Sequence, residues 1–219
     1  RVYRQYGQTF KERDRKLFTE NLTQAAEQFE EATRLKSDAL DAYFQLGMSY
    51  RDLGLLQQAL VAFKKVQALS PQDPAVYYQL GLVSMEQGFY RTAEAYFLDG
   101  LKINPTHALI LIAIGRLYIE MKQLPSAIST LRQATQSDPA LWEGWYELGR
   151  VHMKQREWRL AISALEQARQ HGPFVPDIYS AMANCYLKMN KKLEARQMVN
   201  ETLQRDPNNA EAIRLQKQL

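Results

Sequence analysis

The side chains best suited to acid–base, nucleophilic or metal chemistry are three histidines, His107, His152 and His171, and one cysteine, Cys185. Their spacing supports none of these chemistries. No two histidines stand one helical turn apart beside a carboxylate, the arrangement that lets one helix face hold a metal. The chain has no glycine-rich phosphate loop, no dinucleotide fingerprint and no nucleophile elbow. A lone cysteine excludes an internal disulfide framework. The expectation is a protein that is not an enzyme, with no catalytic residue, no metal and no cofactor. If these residues do no chemistry, their work is packing, and the pattern that positions them shows it.

That pattern has a period of 34 residues. One column reads Gly47, Gly81, Gly115, Gly149 and Ala183. A second reads Ala59, Ala93, Ala127, Ala161 and Ala195, and a third Pro71, Pro105, Pro139, Pro173 and Pro207. A period of this size marks a stack of identical supersecondary units. Within a block, Tyr43, Leu46, Gly47 and Tyr50 have the spacing of one helix face, and Ala59, Phe63 and Val66 repeat it after a break at Gly54. Proline ends each block, because its ring clashes with the preceding turn and it lacks an N–H. First helices are predicted near 41–53, 75–87, 109–121, 143–155 and 177–189, and second helices near 57–69, 91–103, 125–137, 159–171 and 192–204. A helical glycine costs about 1 kcal/mol relative to alanine. The glycine column therefore needs a packing reason, expected to be close approach of the Gly47 column to the Ala59 column. His152 and Cys185 fall in columns with packing roles, while His107 and His171 fall near turns.

These columns resemble the tetratricopeptide repeat, whose pattern is a large residue, Leu-Gly, Tyr, then Ala, Phe, Ala and Pro. The match covers 40–209 in five copies, the fifth departing most, with Met182-Ala183, Val199 and Thr202. The resemblance implies an all-α fold, a right-handed α-solenoid of stacked antiparallel helix pairs. Residues 1–39 are read as a degenerate repeat with an inserted hairpin: Tyr3, Tyr6-Gly7 and Phe10 fit a first helix, Ala25, Phe29 and Ala32 a second, with six extra residues between. Residues 210–219 are read as a capping helix.

The net charge is +4 at pH 7, and the first sixteen residues carry all of it. Arg1, Arg4, Lys11, Arg13, Arg15 and Lys16 face only Glu12 and Asp14 there, and the 22 basic and 22 acidic residues that follow cancel. A neutral repeat body argues against nucleic acid as a partner. The basic start admits proximity to an anionic membrane. No apolar stretch approaches the ~18–20 residues that span a bilayer. Because the chain begins at Arg1, inside a helical pattern, the native N-terminus is expected upstream, with room for an anchor or signal.

In tetratricopeptide proteins the first helix of each pair lines a concave groove. By that resemblance the groove residues are Phe44, Met48, Tyr78, Leu82, Met85, Ile112, Arg116, Ile119, Tyr146, Arg150 and Met153. Exposed apolar surface marks interaction sites, and aromatics, Met and Arg are enriched in interface cores. Along the rim, Asp52, Glu86 and Glu120 give way to Lys154 and Lys188. Chaperone-binding relatives hold a terminal carboxylate with Lys and Asn where this chain has Phe44 and Met48, so no carboxylate clamp of that kind is expected. The implied function is a protein–protein interaction scaffold for an amphipathic helix or apolar peptide. The alternatives are a self-associating or membrane-tethered assembly factor and an accessory module of a larger enzyme.

Overall fold

The computed structural model describes the backbone from Val2 to Leu219 and the side chains from Lys16 onward. Among the described residues it contains twelve α-helices and no strand. The first helices of the repeats are α2 (Leu40–Asp52), α4 (Pro74–Glu86), α6 (Ala108–Glu120), α8 (Trp142–Lys154) and α10 (Pro176–Lys188). Each starts and ends one residue before its predicted bounds. The second helices are α3 (Leu56–Leu69), α5 (Tyr90–Ile103), α7 (Leu124–Ser137), α9 (Trp158–His171) and α11 (Lys192–Arg205). Each packs on the first helix of its own pair. The chain divides after Asn104 into two compact units. Unit 1 holds α1–α5 and unit 2 holds α6–α12 (α12 being Ala210–Gln216).

The turn inside each pair is built one way in all five. The amide of Leu55 donates to the carbonyl of Tyr50 at 2.8 Å, and Phe89, Gln123, Glu157 and Lys191 donate likewise to Ser84, Tyr118, His152 and Tyr186. This six-to-one closure requires a left-handed residue just before the donor. Gly54 and Gly88 supply it at φ +75° and +80°. Lys122, Arg156 and Asn190 fill the same position at φ 60°, 61° and 59°, where a side chain is strained. The turn between pairs is fastened by the large residue that opens the next helix. The Tyr77 hydroxyl donates to the Pro71 carbonyl and the Trp145 indole N–H to the Pro139 carbonyl, both at 2.9 Å.

The glycine column has a different partner from the one expected. A Cβ placed on Gly115 would lie 2.5 Å from Cγ and Cδ2 of Leu131, and one on Gly47 would lie 2.7 Å from the Phe63 ring. Gly81 meets Phe97 and Gly149 meets Leu165 in the same way. The space a side chain would fill is thus taken by a large residue of the second helix. Of the alanine column, the Ala161 carbonyl comes within 3.3 Å of a Cβ on Gly149. Phe63, Phe97, Leu131 and Leu165 are fully buried, each worth roughly 1.5–3 kcal/mol. In the fifth pair Ala183 replaces glycine, and the smaller Val199, at the register position of Leu131 and Leu165, lies in the same core cluster.

At the start of unit 1, α1 is one unbroken helix, Val2–Leu35, where the sequence pattern suggested two helices and an insert. The stretch between the two matched segments contains no glycine or proline to stop it. Its C-terminal half docks on α2 and α3, with Ala26 buried beside Leu46 and Ala62 and flanked by Phe29, Tyr50 and Leu53. The Tyr50 hydroxyl donates to Glu30 across this contact. Burial and the Glu30 carboxylate push that phenol up to about 12. The side chains of Tyr3, Tyr6 and Phe10, and the basic residues Arg1, Arg4, Lys11, Arg13 and Arg15, lie outside the described residues. At the other end of unit 2, α12 buries Ala212 and Leu215 against α10 and α11.

Candidate functional site

The residues that could act chemically are placed as structural parts. His107 caps α6, its Nδ1 accepting from the amide of Ile110 at 3.4 Å. His152 is buried, with Nδ1 2.6 Å from Glu157 Oε2. His171 is the last residue of α9. Cys185 is buried, and burial pushes its thiol up to about 12. Among the described residues no group of three His, Cys, Asp or Glu side chains converges, and no helix is long and apolar enough to cross a membrane.

In unit 1 the first helices place Phe44, Met48, Tyr78, Leu82 and Met85 half-buried. Phe44 and Met48 pack on the cluster around Phe63 and Leu80. The Phe44 ring meets Phe63 edge-on at 5.6 Å, and Tyr78 lies 6.4 Å from Phe97. The arginine on this face is already satisfied. Arg51 donates to Gln79 at 2.6 Å and pairs with Asp52 at 3.5 Å and Glu86 at 3.9 Å. Burial raises the Glu86 carboxyl, and Arg51 opposes that shift.

In unit 2 the first helices α6, α8 and α10 contact one another in order. Two predicted groove residues here are core residues. Ile112 is 5% exposed and Ile119 4%. Ile119 belongs to the cluster of Leu131, Leu148 and Val151, and Ile112 lies against Gly144 of α8, its Cδ1 3.5 Å from where a Cβ would stand. Tyr146, Arg150 and Met153 stay half-buried. The Arg150 guanidinium lies 5.9 Å from the Tyr146 ring centre, and Trp142 stands 6.1 Å away on that ring. Burial raises the Tyr146 phenol, Asp177 adds to the shift, and Arg150 opposes it.

One residue of this face was not singled out from sequence. Glu147 is 2% exposed, yet Arg116 Nε sits 2.9 Å from its Oε1 and Arg150 Nη1 2.8 Å from its Oε2. Its register position holds Ala113 one repeat earlier and Ala181 one repeat later. The first two repeats hold Gln45 and Gln79 there, so the available signal was a carboxylate in a column otherwise filled by glutamine and alanine. Past Arg150, a depression is lined by Met153, Lys154, Trp158, Asn184 and Lys188.

No curated protein matches the chain in sequence. Among solved structures, the Cut9–Hcn1 hetero-tetramer of the APC/C aligns with a TM-score of 0.79 at 21% identity, over 92% of this chain. The chain spans only 40% of that longer one. PilW, a type IV pilus biogenesis factor, aligns with a TM-score of 0.78 at 15% identity, over 91% of this chain and 92% of its own. YrrB, a tetratricopeptide protein with an unusual peptide-binding site, gives 0.62 at 18%, over 88% and 99%. At such identities the likeness shows the fold alone. The family model described as the cilia and flagella-associated protein 70 C-terminal domain matches residues 9–218. With the repeat columns, helix pairs and turn geometry, that match makes the chain a member of this tetratricopeptide-repeat family.

Proposed function

We propose that this protein-interaction scaffold holds an amphipathic helix or apolar peptide against the faces of its first helices. The observation that supports this reading most is in unit 2. There Tyr146 and Met153 remain partly open beside Arg150, although neighbouring Ile112 and Ile119 are sealed in the core. Tyrosine and arginine are among the residue types enriched where binding energy concentrates at interfaces. In unit 1, Phe44, Tyr78, Leu82 and Met85 offer a similar apolar strip with its arginine neutralised. The family's description points to ciliary and flagellar proteins as the place to seek the partner.

The test is affinity capture with the whole chain, compared with Tyr146→Ala and Met153→Ala together. The expected result is loss of the captured protein with unchanged helical circular dichroism. Wild-type capture by the double variant would move the binding face elsewhere.

A further inference from the structure

Glu147 is a feature that packing does not call for. A buried carboxylate is expensive to desolvate, and apolar residues in its place usually serve stability as well or better. What Glu147 provides is position. Each oxygen fixes one guanidinium nitrogen of Arg116 or Arg150. A guanidinium has five N–H groups in a rigid fork, so most remain available. Arg116 is 51% exposed and Arg150 36%, so those groups face outward. One carboxylate cancels one arginine, and the trio keeps a positive charge.

The surface beyond Arg150 extends that charge. Arg150, Lys154 and Lys188 line one depression with Asn184, Met153 and Trp158, and no acidic residue joins them. Neither lysine has an ion pair among the described residues. Unit 1 contrasts with this, because Asp52 and Glu86 surround its Arg51. Glu120, Glu143, Glu157 and Asp177 on or beside the same helices of unit 2 keep the positive field local. A local field suits a side-chain carboxylate rather than the extended phosphate track of a nucleic acid.

We propose that this depression receives an acidic side chain of a partner segment. The carboxylate sits between the Arg150 guanidinium and the Lys154 and Lys188 ammonium groups, and an apolar neighbour packs on Met153 and Trp158. Arg116 and Glu147 act as positioning residues behind Arg150. The inference rests on the reading of the first-helix face as a docking surface and adds the charge that its ligand carries.

The test uses the whole chain and two labelled peptides, acetylated and amidated so that no terminal charge contributes. One repeats Glu-Leu-Leu-Glu and the other Gln-Leu-Leu-Gln. Fluorescence anisotropy should show the Glu probe binding roughly tenfold tighter at low salt, an advantage that shrinks as salt screens the charges. Lys154→Gln with Lys188→Gln changes two exposed residues and should remove most of that advantage without altering the fold. Trp158→Ala should weaken both probes alike. Equal binding of the two probes to the wild type overturns the carboxylate and leaves apolar docking standing. Failure of both to bind overturns the pocket, while the capture experiment judges the scaffold reading separately. Displacement of the Glu probe by a single-stranded oligonucleotide at lower concentration than by unlabelled Glu peptide would make this a phosphate site and also end the proposal.

Discussion

Gly115→Ala separates two opposing effects whose sizes follow from the packing. As a helix substitution it should stabilise by about 1 kcal/mol, because alanine restricts the unfolded chain and glycine does not. As a packing change it should destabilise. The new methyl would stand 2.5 Å from two carbons of Leu131, where carbon atoms normally keep roughly 3.5–4.0 Å. Leu131 is fully buried among Ala127, Leu148 and Val151, so it has nowhere to turn. Overpacking of a tight core costs roughly 1–3 kcal/mol, and this overlap belongs at the upper end. The net expectation is a loss of about 2 kcal/mol.

The fifth repeat carries the relieved combination, Ala183 with the smaller Val199 in one core cluster. Leu131→Val alone should cost roughly 1 kcal/mol, as small core truncations do. Combined with Gly115→Ala it recreates the fifth-repeat pair. The double variant should be less destabilised than the sum of the two by more than about 1 kcal/mol, a coupling typical of residues in contact. Urea unfolding of the four chains measures this, with hydrogen exchange on α6 and α7 as a local check because repeat arrays need not unfold in one step. A Gly115→Ala chain more stable than wild type, or additive effects in the double variant, would refute the assignment of Leu131 to the glycine's empty space.

Further outcomes follow from other positions. Arg156→Gly should raise stability by roughly 0.5–1 kcal/mol in urea unfolding, because glycine adopts the left-handed conformation at 156 without strain. Glu147→Met should leave stability unchanged or raised in the same assay, because it removes a buried charge and leaves two arginines that water can reach. Arg116→Ala with Arg150→Ala should instead cost about 3–5 kcal/mol by stranding that carboxylate. For Cys185 the folded thiol is raised to about 12 by burial, so thiolate is scarce through neutral and mildly alkaline pH. Alkylation by iodoacetamide at pH 8 should be negligible in the native chain and fast in urea; rapid native labelling would contradict its burial.

The repeat columns placed every helix of the five pairs within a residue, because glycine, alanine and proline report backbone demands that do not depend on the partner. The same columns did not say which residue filled the glycine's space. Spacing in one helix fixes a face, whereas the residue opposite depends on how two helices lie together, and Phe63 rather than Ala59 reaches across. Residues 1–39 show the reverse failure. Tyr6-Gly7 and Ala25 matched a repeat, but without a turn signal between them α1 simply continued.

The candidate site was legible in part for a similar reason. Column position put Ile112, Ile119, Tyr146 and Met153 on one kind of face, yet burial divides them. The first two lie under neighbouring helices of unit 2, and the last two keep an open side. Register alone cannot express that division, since it depends on the size of what stands beside each residue. Ile112 packs under Gly144 of α8, whereas Tyr146 lies beside Trp142 and Arg150 and stays half-buried. The polar side of the site was written more plainly than the apolar side. Gln79 and Glu147 occupy one column, both are buried, and each holds an arginine of its own unit. A buried side-chain acceptor needs a donor, and in each unit an arginine supplies it. The glutamate, unlike the glutamine, can answer two donors at full charge and leave both facing outward, which distinguishes the surface of unit 2 from that of unit 1.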